Sequence, residues 1–418
     1  MRQALRTFGR ILARHAPTLV AWYLGGEAVH RVLVQVAGFV GGHTTLGGLL
    51  LLPLAVAARL VSYVAMYLTV RSSLPNSLAE GAGTGYRSFG RSVVGAILPF
   101  TLFYAAWGML DADLRAFFAV ASSVAFAQTG NGVDEALGDR GGLISAGPLP
   151  VLVLVAALAL RLVLDRFRDR LPSWALVLAA YAEVLWTFML FTLVGQWWSG
   201  VRAWFSGRAG AQWLEGIGAQ IAAAVPPLGA LWEGGLWLVG IVAAAVIVPA
   251  AWLAVAGVIF GADLDTTPTV LHRRAEALRG AAGGLSRTLL RRLEDLWAAL
   301  AAIWRGGPLL FGLFAAAYAV WAAAERIGTR ALLQAVGGHE SNFWAAFFPL
   351  LLVAVAAVAE PLRVALVATA FDAVVGRRQA GVGIRTAAPA TDSRIDAEAG
   401  DLVLDGDVEP ERPPGVVG

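Results

Sequence analysis

The chain contains no cysteine and no lysine, and only 15% of its 418 residues are charged. Without cysteine there are no disulfides, thiolate nucleophiles or cysteine-ligated metals, and the redox compartment stays open. The Gly81–Gly85 stretch is glycine-rich, but it lacks both the lysine and the preceding strand that a phosphate-cradling loop needs. Nucleophile elbow, HExxH and dinucleotide fingerprints are also missing, so no catalytic residue, cofactor or metal is assigned. All 32 basic residues are arginine. Alongside the abundance of Ala, Gly and Val, we read this as the mark of a GC-rich bacterial genome.

Hydrophobic residues make up 58% of the chain and mean hydropathy is +0.68. Several apolar runs reach about 20 residues, the length a helix needs to cross the hydrocarbon of a bilayer. The chain is therefore expected to be an all-α integral membrane protein. Eight spans are predicted, at about 17–40, 46–70, 92–110, 143–164, 173–197, 228–261, 308–327 and 343–375, arranged as four tandem hairpins. The last run is longer than a perpendicular crossing requires, which predicts tilt, a kink at Pro361 or protrusion. The arginines lie between the apolar runs, where topology explains them, and this excludes a nucleic-acid partner. Arginine-rich stretches occur at the N-terminus, in the short polar loops, in the loop holding Arg273 to Arg305, and at Arg377 and Arg378. Eight spans with both termini in the cytoplasm put all of these on one face of a bacterial plasma membrane.

Outside the spans, Arg2, Arg6, Arg10 and Arg14 share one helical face and Leu5, Phe8, Ile11 and Leu12 another. Residues 1–16 are thus expected to form a cytoplasmic interfacial helix. An amphipathic piece is expected within 111–142, with Phe117, Phe118, Ala121 and Ala125 on one side. Further interfacial helices are expected within 198–227 and 262–307. Trp197, Trp198, Trp204 and Trp213 read as an outer aromatic belt. The tail 379–418 holds eight acids, three arginines and four prolines, and it is expected to be disordered.

Short sequences recur between hairpins. Arg6-Thr7-Phe8-Gly9-Arg10 returns as Arg87-Ser88-Phe89-Gly90-Arg91, and Gly41-Gly42-His43 as Gly337-Gly338-His339, with Pro53 and Pro349 each ten residues past the histidine. Arg59, Arg161 and Arg363 recur in second helices, with Trp252 at the corresponding place in the third hairpin. Glu27, Glu183 and Glu325 lie on first helices. A two-helix repeat of this kind brings its copies around an axis along the membrane normal.

The candidate site is the set of charges within the apolar runs: Glu27, His30, Arg31, Arg59, Glu183, Glu325, Glu360 and Arg363. Glu27, His30, Arg31 and Gln35 form one helical stripe. Counting about 1.5 Å per residue, Glu27 and Arg59 reach similar depth near mid-membrane, which predicts that they face each other. Arg161 has Asp165 one turn away and can pair locally or snorkel. Pro361 deprives the Ala357 carbonyl of its helical donor beside Glu360 and Arg363, as in ion and substrate sites of broken helices.

The blander reading of all these charges is structural ion pairs locking helices together. His30 is open to a proton relay or to a neutral, hydrogen-bonded role. His43 and His339 fit tight glycine turns better than a metal site. Two functions follow from these alternatives. One is a permease or exporter for an anionic or zwitterionic solute or lipid headgroup. The other is a non-catalytic membrane scaffold binding envelope or division partners. A lipid-acting enzyme is a third reading, with intramembrane Glu and His as its only candidates.

Overall fold

The computed structural model describes residues 2–76, 86–106, 108–129, 148–167, 175–208, 226–260 and 308–386. All secondary structure among them is helical. The helices are α1 (Arg2–His43), α2 (Thr45–Arg71), α3 (Tyr86–Ala106), α4 (Met109–Thr129), α5 (Pro148–Arg166), α6 (Ala175–Ser206), α7 (Pro226–Phe260), α8 (Pro308–Val336) and α9 (Ser341–Thr386). Met1–Gly376 forms one compact unit, and a second begins at Arg377. The interfacial segments expected within 198–227 and 262–307 lie largely or wholly outside the described residues; of the 379–418 tail, residues up to Thr386 continue the helix α9, contrary to the disorder expected there, and the rest lies outside the described residues.

Among the described residues four helical stretches are long and apolar enough to cross a membrane: Thr45–Arg71, Val177–Val201, Leu309–Val336 and Ser341–Arg377. A fifth arises if Ser92–Ala106 and Met109–Gln128 are taken as one span bent by 76°. The break lies at Gly108, whose φ of +71° is open to glycine but strained for other residues. Pro148–Leu164 and Ala245–Phe260 are shorter apolar helices. The expected 17–40 run is helical, but it continues without a break from the arginine-bearing 1–16 segment to make α1, with Pro17 inside. Likewise α9 continues through Pro349 and Pro361.

The core is centred on α2, which packs against α1, α3, α6 and α7. Leu49, Leu52, Val56, Leu60, Val64 and Tyr67 on α2 are fully buried. Glycine sets the distance between α1 and α2, because backbones approach closely only where no side chain intervenes. A Cβ on Gly26 would lie 2.3 Å from that of Ser62, and one on Gly48 would lie 2.8 Å from the Gly41 Cα. The Ser62 hydroxyl donates to the Trp22 carbonyl across the same crossing, at 2.7 Å. Gly38, Gly41 and Gly42 admit Val120, Phe117 and Val124 of α4. Phe117, Ala121 and Ala125 face this seam as the pattern predicts; Phe118 points outward, because it is one residue, about 100°, from Phe117.

The two Gly-Gly-His sequences fold differently. Gly41 and Gly42 are helical residues of α1 that permit close packing, and the chain turns at Thr44, whose hydroxyl accepts from the Gly47 amide at 3.0 Å. Gly337 instead ends α8 with φ +77°, its amide bonding the Leu333 carbonyl, and, apart from the adjoining chain, no atom of the described residues lies within 4 Å of where its Cβ would be. Farther along, the stretch after α2 is tied to α9: the Asn76 amide donates to Asp372 Oδ1 at 2.9 Å and its Nδ2 to Oδ2 at 3.0 Å.

Candidate functional site

Helical spacing places Glu27, His30 and Arg31 on one flank of α1, and the turn at Thr44 brings α2 antiparallel beside them. The expected pair forms: Arg59 Nη2 donates to Glu27 Oε2 at 2.7 Å, while Arg31 Nε donates to Oε1 at 2.8 Å. Both carboxylate oxygens of Glu27 are thus engaged by arginine. Arg59 extends the network to α3, where Nη1 donates to the Tyr104 hydroxyl at 2.7 Å. Tyr104 in turn donates to Asp113 Oδ2 on α4. Asp113 Oδ1 lies 3.1 Å from His30 Nε2, and His30 Nδ1 bonds the Ala55 carbonyl of α2 at 2.9 Å.

The result is a closed ring that leaves α1 at Glu27, crosses α2, α3 and α4, and returns to α1 at His30. Glu27, His30 and Asp113 are all buried, whereas side-chain exposure rises to 21% at Arg59 and 45% at Arg31. The ring therefore has a sealed side at Asp113 and an open side at Arg31. Gln35, one turn beyond Arg31, is exposed on the same helix face.

A second cluster lies against the first. Tyr63, one turn from Arg59 on α2, donates to Glu360 Oε2 at 3.0 Å and accepts from Arg363 Nη2 at 2.8 Å. Glu360 and Arg363, one turn apart on α9, form an ion pair. The Arg363 guanidinium sits 3.8 Å from the Trp252 ring centre, with Tyr63 and Trp321 at 5.2 and 5.6 Å. Aromatic faces replace water around this buried cation. Trp252 of α7 is thus the surface on which the α9 arginine rests. Trp321 donates to the Ala359 carbonyl at 2.9 Å, holding α8 to the same turn of α9. Glu325, one turn beyond Trp321, is half-buried on α8. The clusters meet where Tyr63 and Tyr104 both pack on Phe100, at 5.9 and 5.5 Å.

Glu183 is elsewhere. Its Oε2 accepts from Arg161 Nε at 2.7 Å, a bridge between α6 and α5. Besides the partner expected on its own helix, Arg161 thus has one on the next, because α5 and α6 lie side by side. The eight candidate residues thus divide among three places: Glu27, His30, Arg31 and Arg59 in the ring, Glu360 and Arg363 beside it with Glu325 one helix over, and Glu183 apart.

Tyr104 and Asp113 were not singled out from the sequence, yet they close the ring. Asp113 carried a signal. It lies four residues before Phe117 and eight before Ala121, on the buried stripe of an amphipathic helix. His43 and His339 are exposed; His43 bonds the Phe39 carbonyl and His339 stacks on Phe343 at 4.1 Å. Among the described residues no group of three His, Asp or Glu is arranged to hold a metal ion. No known family, curated protein or solved structure matches the chain.

Proposed function

We propose that this chain is an eight-span protein of a bacterial plasma membrane, with both termini cytoplasmic and interfacial helices on both faces. Its work is that of a permease or exporter whose ring takes an anionic or zwitterionic group, from a solute or a lipid headgroup. The observation that carries this reading is the half-exposed Arg31 at the open side of the ring. Arg31 lies about 20 Å by helix rise from both Pro17 and His43, near the middle of α1's apolar run. A guanidinium facing hydrocarbon at that depth costs about 3 kcal/mol on insertion scales. Among the described residues its one bonded carboxylate is Glu27, which is shared with Arg59, so the positive charge at the open side exceeds the negative. An anionic oxygen is the natural complement, and among the described residues only the Nε of Arg31 is engaged, which leaves its terminal guanidinium donors for it.

The test is thermal stability of the purified protein in detergent, with phosphatidylglycerol, inorganic phosphate and phosphatidylethanolamine added separately. One of them is expected to raise the Tm of the parent by several degrees, and Arg31→Gln is expected to abolish the rise. The lipid arms separate a headgroup from a free anion. No rise with any of the three, or an equal rise in Arg31→Gln, overturns the reading.

The scaffold reading has its own support. The outer part of the α8–α9 hairpin leaves Val320, Ile327, Phe347, Phe348 and Leu350 exposed. It becomes the better account if Arg31 proves inert in the same test.

A further inference from the structure

The hydrogen-bond pattern of the ring fixes a proton that the heavy atoms alone do not name. His30 Nδ1 faces the Ala55 carbonyl at 2.9 Å, and a carbonyl only accepts, so Nδ1 carries hydrogen. Nε2 faces Asp113 Oδ1 at 3.1 Å. A neutral imidazole with hydrogen on Nδ1 presents a lone pair at Nε2, and an ionised carboxylate presents lone pairs as well. The two would repel at that distance. The other carboxylate oxygen, Oδ2, already accepts from the Tyr104 hydroxyl, and Tyr104 is held as a donor because its oxygen accepts from Arg59. The missing hydrogen therefore belongs between Nε2 and Oδ1.

We propose that the His30–Asp113 pair is a proton-binding site: one proton shared between two buried side chains, on the sealed side of a four-helix ring. It is carried either as imidazolium beside carboxylate or as neutral imidazole accepting from a carboxylic acid. Among the described residues, the charged and titratable groups linked to it through the ring are Glu27 and Arg31 on α1, Arg59 on α2 and Tyr104 on α3. Both members of the pair are more than nine-tenths buried, so the proton reaches them only along the ring or by separation of α4 from α1. With the proton bound the pair is neutral overall and Arg31 and Arg59 against Glu27 leave the ring one net positive charge; without it the charges balance. Loss of the proton also removes the bond that closes the ring between α4 and α1. A transport cycle run by this ring is then proton-linked. That consequence rests on the permease reading, whereas the proton site does not.

The test needs no knowledge of a substrate. The chain has five histidines, and replacing His15, His43, His272 and His339 with glutamine leaves His30 as the only one, with the ring untouched. Nitrogen-15 NMR of this protein in a membrane mimetic at pH 7 reads both ring nitrogens, and carbon-13 labelling of Asp side chains reads carboxyl protonation. Either two protonated ring nitrogens, or a Nδ1–H imidazole together with a protonated Asp carboxyl, is expected. A neutral His30 with no protonated Asp carboxyl, or a His30 protonated at Nε2 alone, overturns the proposal. Asp113→Asn is a second variant, since its amide can donate to Nε2; it is expected to yield a neutral Nδ1–H imidazole. If that variant fails to fold, the single-histidine protein still decides. A pair that holds its proton in a protein that fails the phosphate and lipid test leaves the site standing and the permease reading fallen.

Discussion

Glu27 occupies the point where the ring divides, one oxygen to an arginine on its own helix and the other to an arginine on the next. Removing Glu27 takes from Arg59 its carboxylate in a poorly hydrated place, and removing Arg59 leaves Glu27 with only the half-exposed Arg31 as countercharge. For a sealed pair this costs roughly 3–5 kcal/mol, and the partial exposure of Arg59 softens it. Glu27→Gln and Arg59→Gln are each expected to lower stability, and the double variant to lose less than the sum of the two, because the second change removes a charge already stranded. Unfolding of the four proteins in mixed micelles measures this cycle. Strict additivity would mean that the two side chains do not interact. Arg31 differs, since Glu27 keeps Arg59 when Arg31 is gone. Arg31→Gln is expected to leave stability within about 1 kcal/mol of the parent. That is why it serves as the probe of function and Arg59 does not.

At the scale of the helix, the α1–α2 crossing depends on residues too small to intrude. Neighbouring glycines allow the claim to be tested, because Gly25 has nothing within 4 Å of its would-be Cβ and Gly26 meets Ser62 at 2.3 Å. Gly26→Ala is expected to force the helices apart at a cost of about 1–3 kcal/mol, and to break the Ser62 bond to the Trp22 carbonyl. Gly25→Ala is expected to be neutral or stabilising by about 0.5–1 kcal/mol, since alanine loses less backbone freedom in a helix than glycine. Thermal melts of the two variants side by side decide it. Equal losses would show that glycine matters here through helix flexibility and that close approach is not the cause. Alanine at Gly26 also moves Glu27 against Arg59, so the ring and the crossing are one mechanical unit.

At the scale of the whole molecule, the proposed arrangement in the membrane rests on arginine placement, and chemical labelling can test it. The natural absence of cysteine gives a silent background. Single cysteines at Thr44, in the α1–α2 turn, and at Glu340, in the α8–α9 turn, are expected to react with a membrane-impermeant thiol reagent applied to intact cells. Ser286→Cys, within the arginine-rich 262–307 segment, is expected to react only after the membrane is opened. Labelling of Ser286→Cys from outside would reverse the orientation, and labelling of only one of the two turns would change the number of crossings.

Several features of this protein could be read directly from the order of its residues. Long apolar runs with few charges can be stable only as helices in lipid, where each backbone bond must close within its own segment. Helical spacing also gave the Glu27–His30–Arg31 stripe, and matched depth gave the Glu27–Arg59 pair, because rise per residue converts position into distance along one helix. Interactions between helices distant in the chain are not encoded that way. Tyr104 and Asp113 join the ring only because α4 bends back at Gly108 and seats on the glycines of α1, which selects one face of α4 from several. Arg161 reaches Glu183 on the next helix, and Arg363 of α9 rests on Trp252 of α7. Two identical Gly-Gly-His sequences take different forms: α4 packs on the glycines of one, and among the described residues no atom apart from the adjoining chain lies within 4 Å of a would-be Cβ on the glycines of the other. Local spacing thus determined which residues share a helix face, and packing between helices decided which of those faces meet, since contact energy depends on neighbours that the chain order does not specify.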